Sequence, residues 1–162
     1  MYRRLSALVI NLLCLSSIAF SQTKVYNHFN QHYFFQERLV KGLVFDIIQD
    51  SFGLMWFGTE YGLVRYDGHS VKIFSHEPDN PNSLAGNVVT ALAEDHQGNL
   101  WVGTQNSGLH YFDRNQGKFY RHQHDPKGQN SLSNNKISKI LIEDENSIWI
   151  TTEGGGVNLL PI

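Results

Sequence analysis

Three tryptophans anchor an internal repeat, and that repeat constrains the chain more than any other feature. Trp101 stands 45 residues after Trp56, and Trp149 stands 48 after Trp101. The flanking letters keep step. QDSFGLMWFGTEYGLVRYD (49–67) lies beside EDHQGNLWVGTQNSGLHYFD (94–113), and EDENSIWITTEGGGVNLL (143–160) is a looser third copy. Upstream, PNSLAGN (81–87) matches QNSLSNN (129–135), with Leu84 and Leu132 each 17 residues before their tryptophan. A period of about 40–50 residues restricts a chain to architectures that stack one supersecondary unit many times.

Within one period the pattern is of strands. VVTALAED (88–95) is apolar and β-leaning, and HQGN then turns, with Gly98 free to take a positive φ. LWVGT resumes a strand, QNSG turns, LHYFD is a third strand, RNQG turns, and KFYRHQH (118–124) alternates as a fourth. A polar connection, DPKGQNSLSNN (125–135), leads to the next copy. The amphipathic runs of ten or more residues that helical repeats need are absent. Four short antiparallel strands per repeat make a propeller blade. The expected fold is all-β: a partial β-propeller with about two complete four-stranded antiparallel blades plus part of a third. The repeats are read as 43–87, 88–135 and a partial 136–162.

The residues that recur in register have physical roles. Trp56, Trp101 and Trp149 each offer a large flat ring that can wedge between neighbouring blades. Gly58 and Gly103, two residues after their tryptophans, leave room for close backbone approach. Asp50 and Asp95 begin turns and can accept from backbone amides two residues on, with Gly53 and Gly98 completing those turns.

The chain opens MYRRLSALVINLLCLSSIAFSQ, with two arginines, an apolar run of about 14 residues, and small residues before a cut after Ser21. That is the layout of a secretory signal peptide at 1–21, followed by a leader segment at 22–42. An uncleaved anchor and lipid attachment at Cys14 are the alternatives. Cys14 is the single cysteine, so the chain holds no internal disulfide. The expected location is periplasmic or secreted.

Around QDSFGLMWFGTEYGLVRYDG, NSLAGNVVTALAEDHQGNLWVGT and EGGGVNLL, the chain resembles the two-component regulator propeller family, from residue 43 to about 160. The resemblance implies large propellers in an extracytoplasmic sensor. The parent is then a hybrid receptor continuing through a membrane span into a histidine kinase, and many such parents detect oligosaccharides. It therefore implies a ligand-sensing fragment of a signal-transduction receptor, with no catalysis in this chain and no cofactor. The third copy departs from the pattern, with Thr151 where Gly58 and Gly103 stand.

About three blades are fewer than the four to eight that close a ring. The expectation is a truncated sensor, or a short product assembled from several copies. Its partners are an oligosaccharide, further propeller blades of a longer chain or other copies of itself, and the membrane only through a downstream span. With a formal net charge of −2, no basic stripe is present to hold nucleic-acid phosphates. His122 and His124 read as surface polar positions of one strand, with no third ligand placed to make a metal site. Glu60 and Asp67 are an imaginable acid and base pair of unfixed separation. Ligand candidates are Tyr61, His69 and Tyr111, the last better suited to packing inside a blade. Two rival functions stand beside the sensor: a secreted protein-interaction scaffold built from the same repeats, and a truncated propeller lyase or glycosidase.

Overall fold

The structure, a computed structural model, describes residues 42–128 and 130–162. The signal peptide and most of the leader lie outside the described residues. Eleven strands form three antiparallel sheets with no helix among the described residues. The first sheet holds β1 (Val44–Gln49), β2 (Met55–Thr59), β3 (Gly62–Tyr66) and β4 (Val71–Phe74). The second holds β5 (Val89–Glu94), β6 (Leu100–Thr104), β7 (Leu109–Asp113) and β8 (Lys118–His122). The third holds β9 (Ile137–Ile142), β10 (Ser147–Thr152) and β11 (Gly156–Pro161). Strand order in each sheet follows the sequence, β1-β2-β3-β4, β5-β6-β7-β8 and β9-β10-β11, as in an up-and-down blade.

The sequence explains these short strands. β-branched and aromatic residues alternate with polar ones on the outer strands, while β6, LWVGT, is buried at every residue because sheets cover both its faces. The register repeats as well. Trp56 pairs with Ile48 and Arg65, Trp101 with Ala93 and Tyr111, and Trp149 with Leu141 and Leu159. β1 and β5 carry a register shift at the same place, between Val44 and Asp46 and between Val89 and Ala91. Such a bulge re-aims local groups. Asp46 Oδ2 accepts from Leu92 N at 2.7 Å, and Thr90 Oγ1 donates to Ile137 O at 2.6 Å, linking β1 to β5 and β5 to β9.

The core lies in the seams between sheets. The first seam gathers Trp56, Leu63, Leu84, Val89, Leu92, Leu100, Val102, Phe112 and Phe119, with Phe74 against them. Its rings interlock: Trp56 lies 5.9 Å from both Phe74 and Phe112, and Phe119 lies 4.7 Å from Phe112 and 5.8 Å from Phe74. The second seam gathers Trp101, Leu109, Leu132, Ile137, Ile140, Ile148 and Ile150. Each large apolar side chain fully buried there is worth about 1.5–3 kcal/mol.

One expectation needs correction. The fourth strand of the second sheet ends at His122, so His122 and His124 do not share a strand. His122 is half-buried, its ring tilted against Trp101 with centroids 5.7 Å apart, whereas His124 is exposed and its Nδ1–H donates to Leu132 O at 2.6 Å. The chain leaves the sheet after His122 because these bonds tie it to the connection that follows.

Candidate functional site: seams, connections and an open cleft

Each seam begins with an aspartate turn. Asp50 Oδ1 accepts from Phe52 N at 3.0 Å and Leu54 N at 2.8 Å, and Asp95 Oδ1 accepts from Gln97 N at 3.0 Å and Asn99 N at 2.9 Å. Gly53 and Gly98 take φ of 82° and 84°, the left-handed conformation this turn requires. The two turns differ at the other carboxylate oxygen. Asp50 Oδ2 accepts from Trp56 Nε1 at 2.6 Å and from Arg114 Nη1 at 2.8 Å. Arg114 comes from the neighbouring sheet, donates through Nε to Gly98 O at 2.6 Å, and sits over Phe52 at 4.6 Å and Trp56 at 5.7 Å. Glu94 joins the clamp, accepting from Ser51 N and Ser51 Oγ at 2.7 and 2.8 Å. Burial pushes the Asp50 carboxyl up, but hydrogen bonds from Trp56, Arg114 and Leu54 outweigh it and hold it below the ordinary carboxylate value.

Gly58 and Gly103 face the first strand of the next sheet. A Cβ on Gly58 would stand 2.9 Å from Val89 O, and one on Gly103 would stand 2.5 Å from Ile137 Cγ2. Trp56 and Trp101 are 1% and 3% exposed, each against the following sheet, whereas Trp149 is 37% exposed. With Leu141 at 64% and Leu159 at 53%, Trp149 forms an apolar cross-strand row on the outer face of the third sheet. The equivalent rows of the first two sheets pack into seams.

The connections between sheets are built twice to one plan. His76 N donates to Asn87 Oδ1 and His124 N to Asn135 Oδ1, both at 2.7 Å. His76 Nδ1–H donates to Leu84 O at 2.8 Å, as His124 does to Leu132 O. Ser83 Oγ accepts from Glu77 N at 3.1 Å, and Ser131 Oγ accepts from Asp125 N at 3.0 Å. The next sheet's third strand reads each connection. His110 Nε2 accepts from Ala85 N at 3.0 Å, and Asn158 Oδ1 accepts from Ser133 N at 2.9 Å. His110 is therefore the Nδ1–H tautomer. Burial, with Arg121 and His122 nearby, brings its pKa down to about 4.

A cleft of about 690 Å³ opens beside the second connection, lined by Arg121, His122, Asn130, Asn158 and Pro161 among others. In the first seam, Phe119 of β8 lies against the register equivalents of this lining, with its N–H donating to Asn82 O at 2.9 Å. The cleft mixes amide, imidazole and guanidinium groups with aliphatic surface. Burial lowers the pKa of His122 here, which favours the neutral ring.

The three sequence-derived ligand candidates do not converge. Tyr61 lies in the β2–β3 turn and His69 in the β3–β4 turn, at opposite ends of β3. Tyr111 lies within β7, 5.0 Å from Trp101 and 6.2 Å from Tyr120, and burial, then the Asp95 charge, raises its pKa. Glu60 and Asp67 likewise flank β3 at opposite ends. Sequence reasoning missed the connection histidines, although both stand eight residues before their leucine. It also missed Arg114, which no sequence spacing ties to Asp50.

Comparisons with known proteins agree with this geometry. A family model described as two component regulator propeller matches residues 39–61 and 83–106. Histidine kinase P4 of Formosa agariphila is 35% identical over 80 residues, covering 49% of this chain and 6% of that protein. The extracellular domain of a hybrid two-component system from B. thetaiotaomicron superposes with a TM-score of 0.68 at 28% identity, covering 74% of this chain and 17% of that one. A second such domain from the same organism gives 0.60 at 29% identity, covering 73% and 15%. The chain thus spans a small part of each relative, and these two solved structures are extracellular domains. Its tryptophan repeats, its four-stranded sheets and these matches make the chain similar, over the residues matched, to two component regulator propeller proteins.

Proposed function

We propose that this chain forms part of the extracytoplasmic ligand-sensing region of a two-component receptor and that its ligand is an oligosaccharide. The observation that carries the reading is the shared propeller fold with extracellular domains of hybrid two-component systems at 28–29% identity. The signal-peptide layout of 1–21 supports export to the periplasm or the outside. The cleft at His122, Asn130 and Asn158 supports a sugar ligand, because amide and imidazole groups there can bond hydroxyls while Leu160 offers apolar surface to a ring face. Further blades of a longer chain, or other copies of this one, would cover the row Leu141–Trp149–Leu159. The kinase belongs to such a longer receptor.

The test is a glycan array probed with the purified chain, followed by calorimetric titration of any hit. The expected result is saturable binding of one glycan class, weakened by His122→Ala and Asn158→Ala. Absence of binding across polysaccharide-derived oligosaccharides would remove the sugar assignment and leave the propeller reading in place.

A further inference from the structure

In the second sheet the fourth strand is clasped on two sides. β8 pairs with β7, with Phe119 opposite Phe112 and His122 opposite Leu109. Its other side meets the first connection, where Phe119 N–H donates to Asn82 O at 2.9 Å and Arg121 Nη2 donates to Ser83 O at 3.0 Å. Among the described residues the third sheet has three strands, in the order β9-β10-β11, so one edge of β11 is unpaired. Leu160 stands at the register of Phe112, and Asn130 and Ser131 at those of Asn82 and Ser83. The cleft of about 690 Å³ is lined by all three. It has the place and the walls of a fourth strand's seat, and an unpaired edge is a template for one more strand.

The sequence carries a segment of matching register ahead of β1. Leu39 stands 17 residues before Trp56, as Leu84 and Leu132 stand before Trp101 and Trp149. Counted from those leucines, KVYNHF (24–29) falls at the register of β4 and β8. That leaves 30–43 as a connection of the same 14 residues as 75–88 and 123–136. Tyr26 takes the register of Phe119, and Phe29 that of Phe74. Residues 24–29 lie outside the described residues and enter by sequence register alone. The direction of the chain decides which molecule receives them. Each connection leads from the fourth strand of one sheet to the first strand of the next, β4 to β5 and β8 to β9. A strand ahead of β1 therefore belongs to a sheet that precedes the first, and the third sheet of a second copy offers it a seat.

We propose that β11 and the cleft beside it receive residues 24–29 of a second copy as the fourth, antiparallel strand of the third sheet, joining copies head to tail. Tyr26 then lies opposite Leu160 as Phe119 lies opposite Phe112, and Phe29 opposite Val157 as His122 lies opposite Leu109. The second copy's first sheet follows its own leader and covers the exposed row Leu141–Trp149–Leu159. Such a contact is heterologous, because it joins two different surfaces of one chain, and it builds rings or open rows. The proposal rests on the cleft's place in the fold and not on the sugar reading. A strand and a sugar exclude each other there, so the sugar reading applies to a copy whose seat is free.

The experiment uses residues 22–162, the form left by the expected cleavage, which holds every described residue and no cysteine. Asn27→Pro blocks pairing along the leader, and Asn130→Trp, at an exposed position, fills the cleft. Sedimentation velocity is expected to show each blocked form associating about tenfold more weakly than the wild type. An equimolar mixture of the two forms a dimer of one each and grows no further, since one intact leader meets one intact seat. Cysteine pairs read the register. Asn27→Cys in one copy and Leu159→Cys in another cross-link under mild oxidation, whereas Asn27→Cys does not cross-link to Leu141→Cys at the sheet's other edge. A wild type that stays monomeric at high concentration, a mixture that forms no dimer, or equal cross-linking to both positions would overturn the proposal. Glycan binding is read separately by titration into Asn27→Pro, whose cleft stays open, so either reading can fail without the other.

Discussion

Replacing Arg114 by Met removes the charge from the first seam while keeping an unbranched apolar stem over Phe52 and Trp56. The Asp50 side chain is fully buried and that of Arg114 is 20% exposed, with 2.8 Å between Nη1 and Oδ2. Breaking a buried pair by deleting one partner costs about 3–5 kcal/mol, because the other charge stays desolvated. Asp50 retains the Trp56 indole and two backbone N–H groups, which places the loss near the lower end, about 3 kcal/mol. Loss of the Nε bond to Gly98 O and of the cation over the Phe52 ring acts in the same direction. The assay is urea unfolding followed by tryptophan fluorescence and circular dichroism, with Asp50→Asn and the double variant completing a cycle. A coupling of about 2 kcal/mol is expected, reduced little by salt since the pair is buried. Asp50 has a depressed folded pKa, so the pair's contribution is complete above the unfolded value near 4 and is lost as pH falls through the lower folded value. A loss under about 0.5 kcal/mol for Arg114→Met, or full additivity in the cycle, would refute the view that this ion pair clamps the seam.

Gly103→Ala forces a Cβ to 2.5 Å from Ile137 Cγ2 and 3.2 Å from Ala91 Cβ, and overpacking of this kind costs about 1–3 kcal/mol in urea unfolding; an unchanged midpoint would show that the second seam is loosely packed. His110 has a folded pKa of about 4 against the ordinary 6.5, so the unfolded chain binds the extra proton between those values, and stability falls as pH drops from 6.5 toward 4. His110→Asn keeps an acceptor for Ala85 N, as Asn158 does for Ser133 N, and flattens that part of the stability profile; an unaltered slope would show that another group titrates there. The exposed row Leu141–Trp149–Leu159 predicts self-association of the purified chain, relieved by Leu141→Lys with Leu159→Lys. Multi-angle light scattering reads the mass, and a wild type that stays monomeric at high concentration contradicts the prediction.

The strands were legible because two local signals agree in each repeat: alternation of apolar residues, as in LHYFD, and turn residues at fixed offsets, as in DHQGN. The aspartate turns were legible for the same reason, since Asp95 reaches amides only two and four residues away. The end of β8 was not legible. KFYRHQH alternates through His124, and a strand there differs from the observed turn-off only through bonds to Leu132 and Asn135, eight and eleven residues on. The connection histidines had a visible signal in their matched spacing to Leu84 and Leu132, but their role depends on a carbonyl that the loop must fold back to present.

By itself the sequence determined the repeat, the strands and the turn chemistry, because these depend on contacts within a few residues along the chain. The tertiary structure alone decided which groups meet across seams: Arg114 with Asp50 from 64 residues away, His110 with Ala85, and Gly103 against Ile137. It also decided that Trp149 stays open while Trp56 and Trp101 are sealed, although the three occupy one register. The physical reason is that a repeat sets what each blade offers its neighbour, whereas burial and charge pairing depend on whether a neighbour is there and on which side chain it brings.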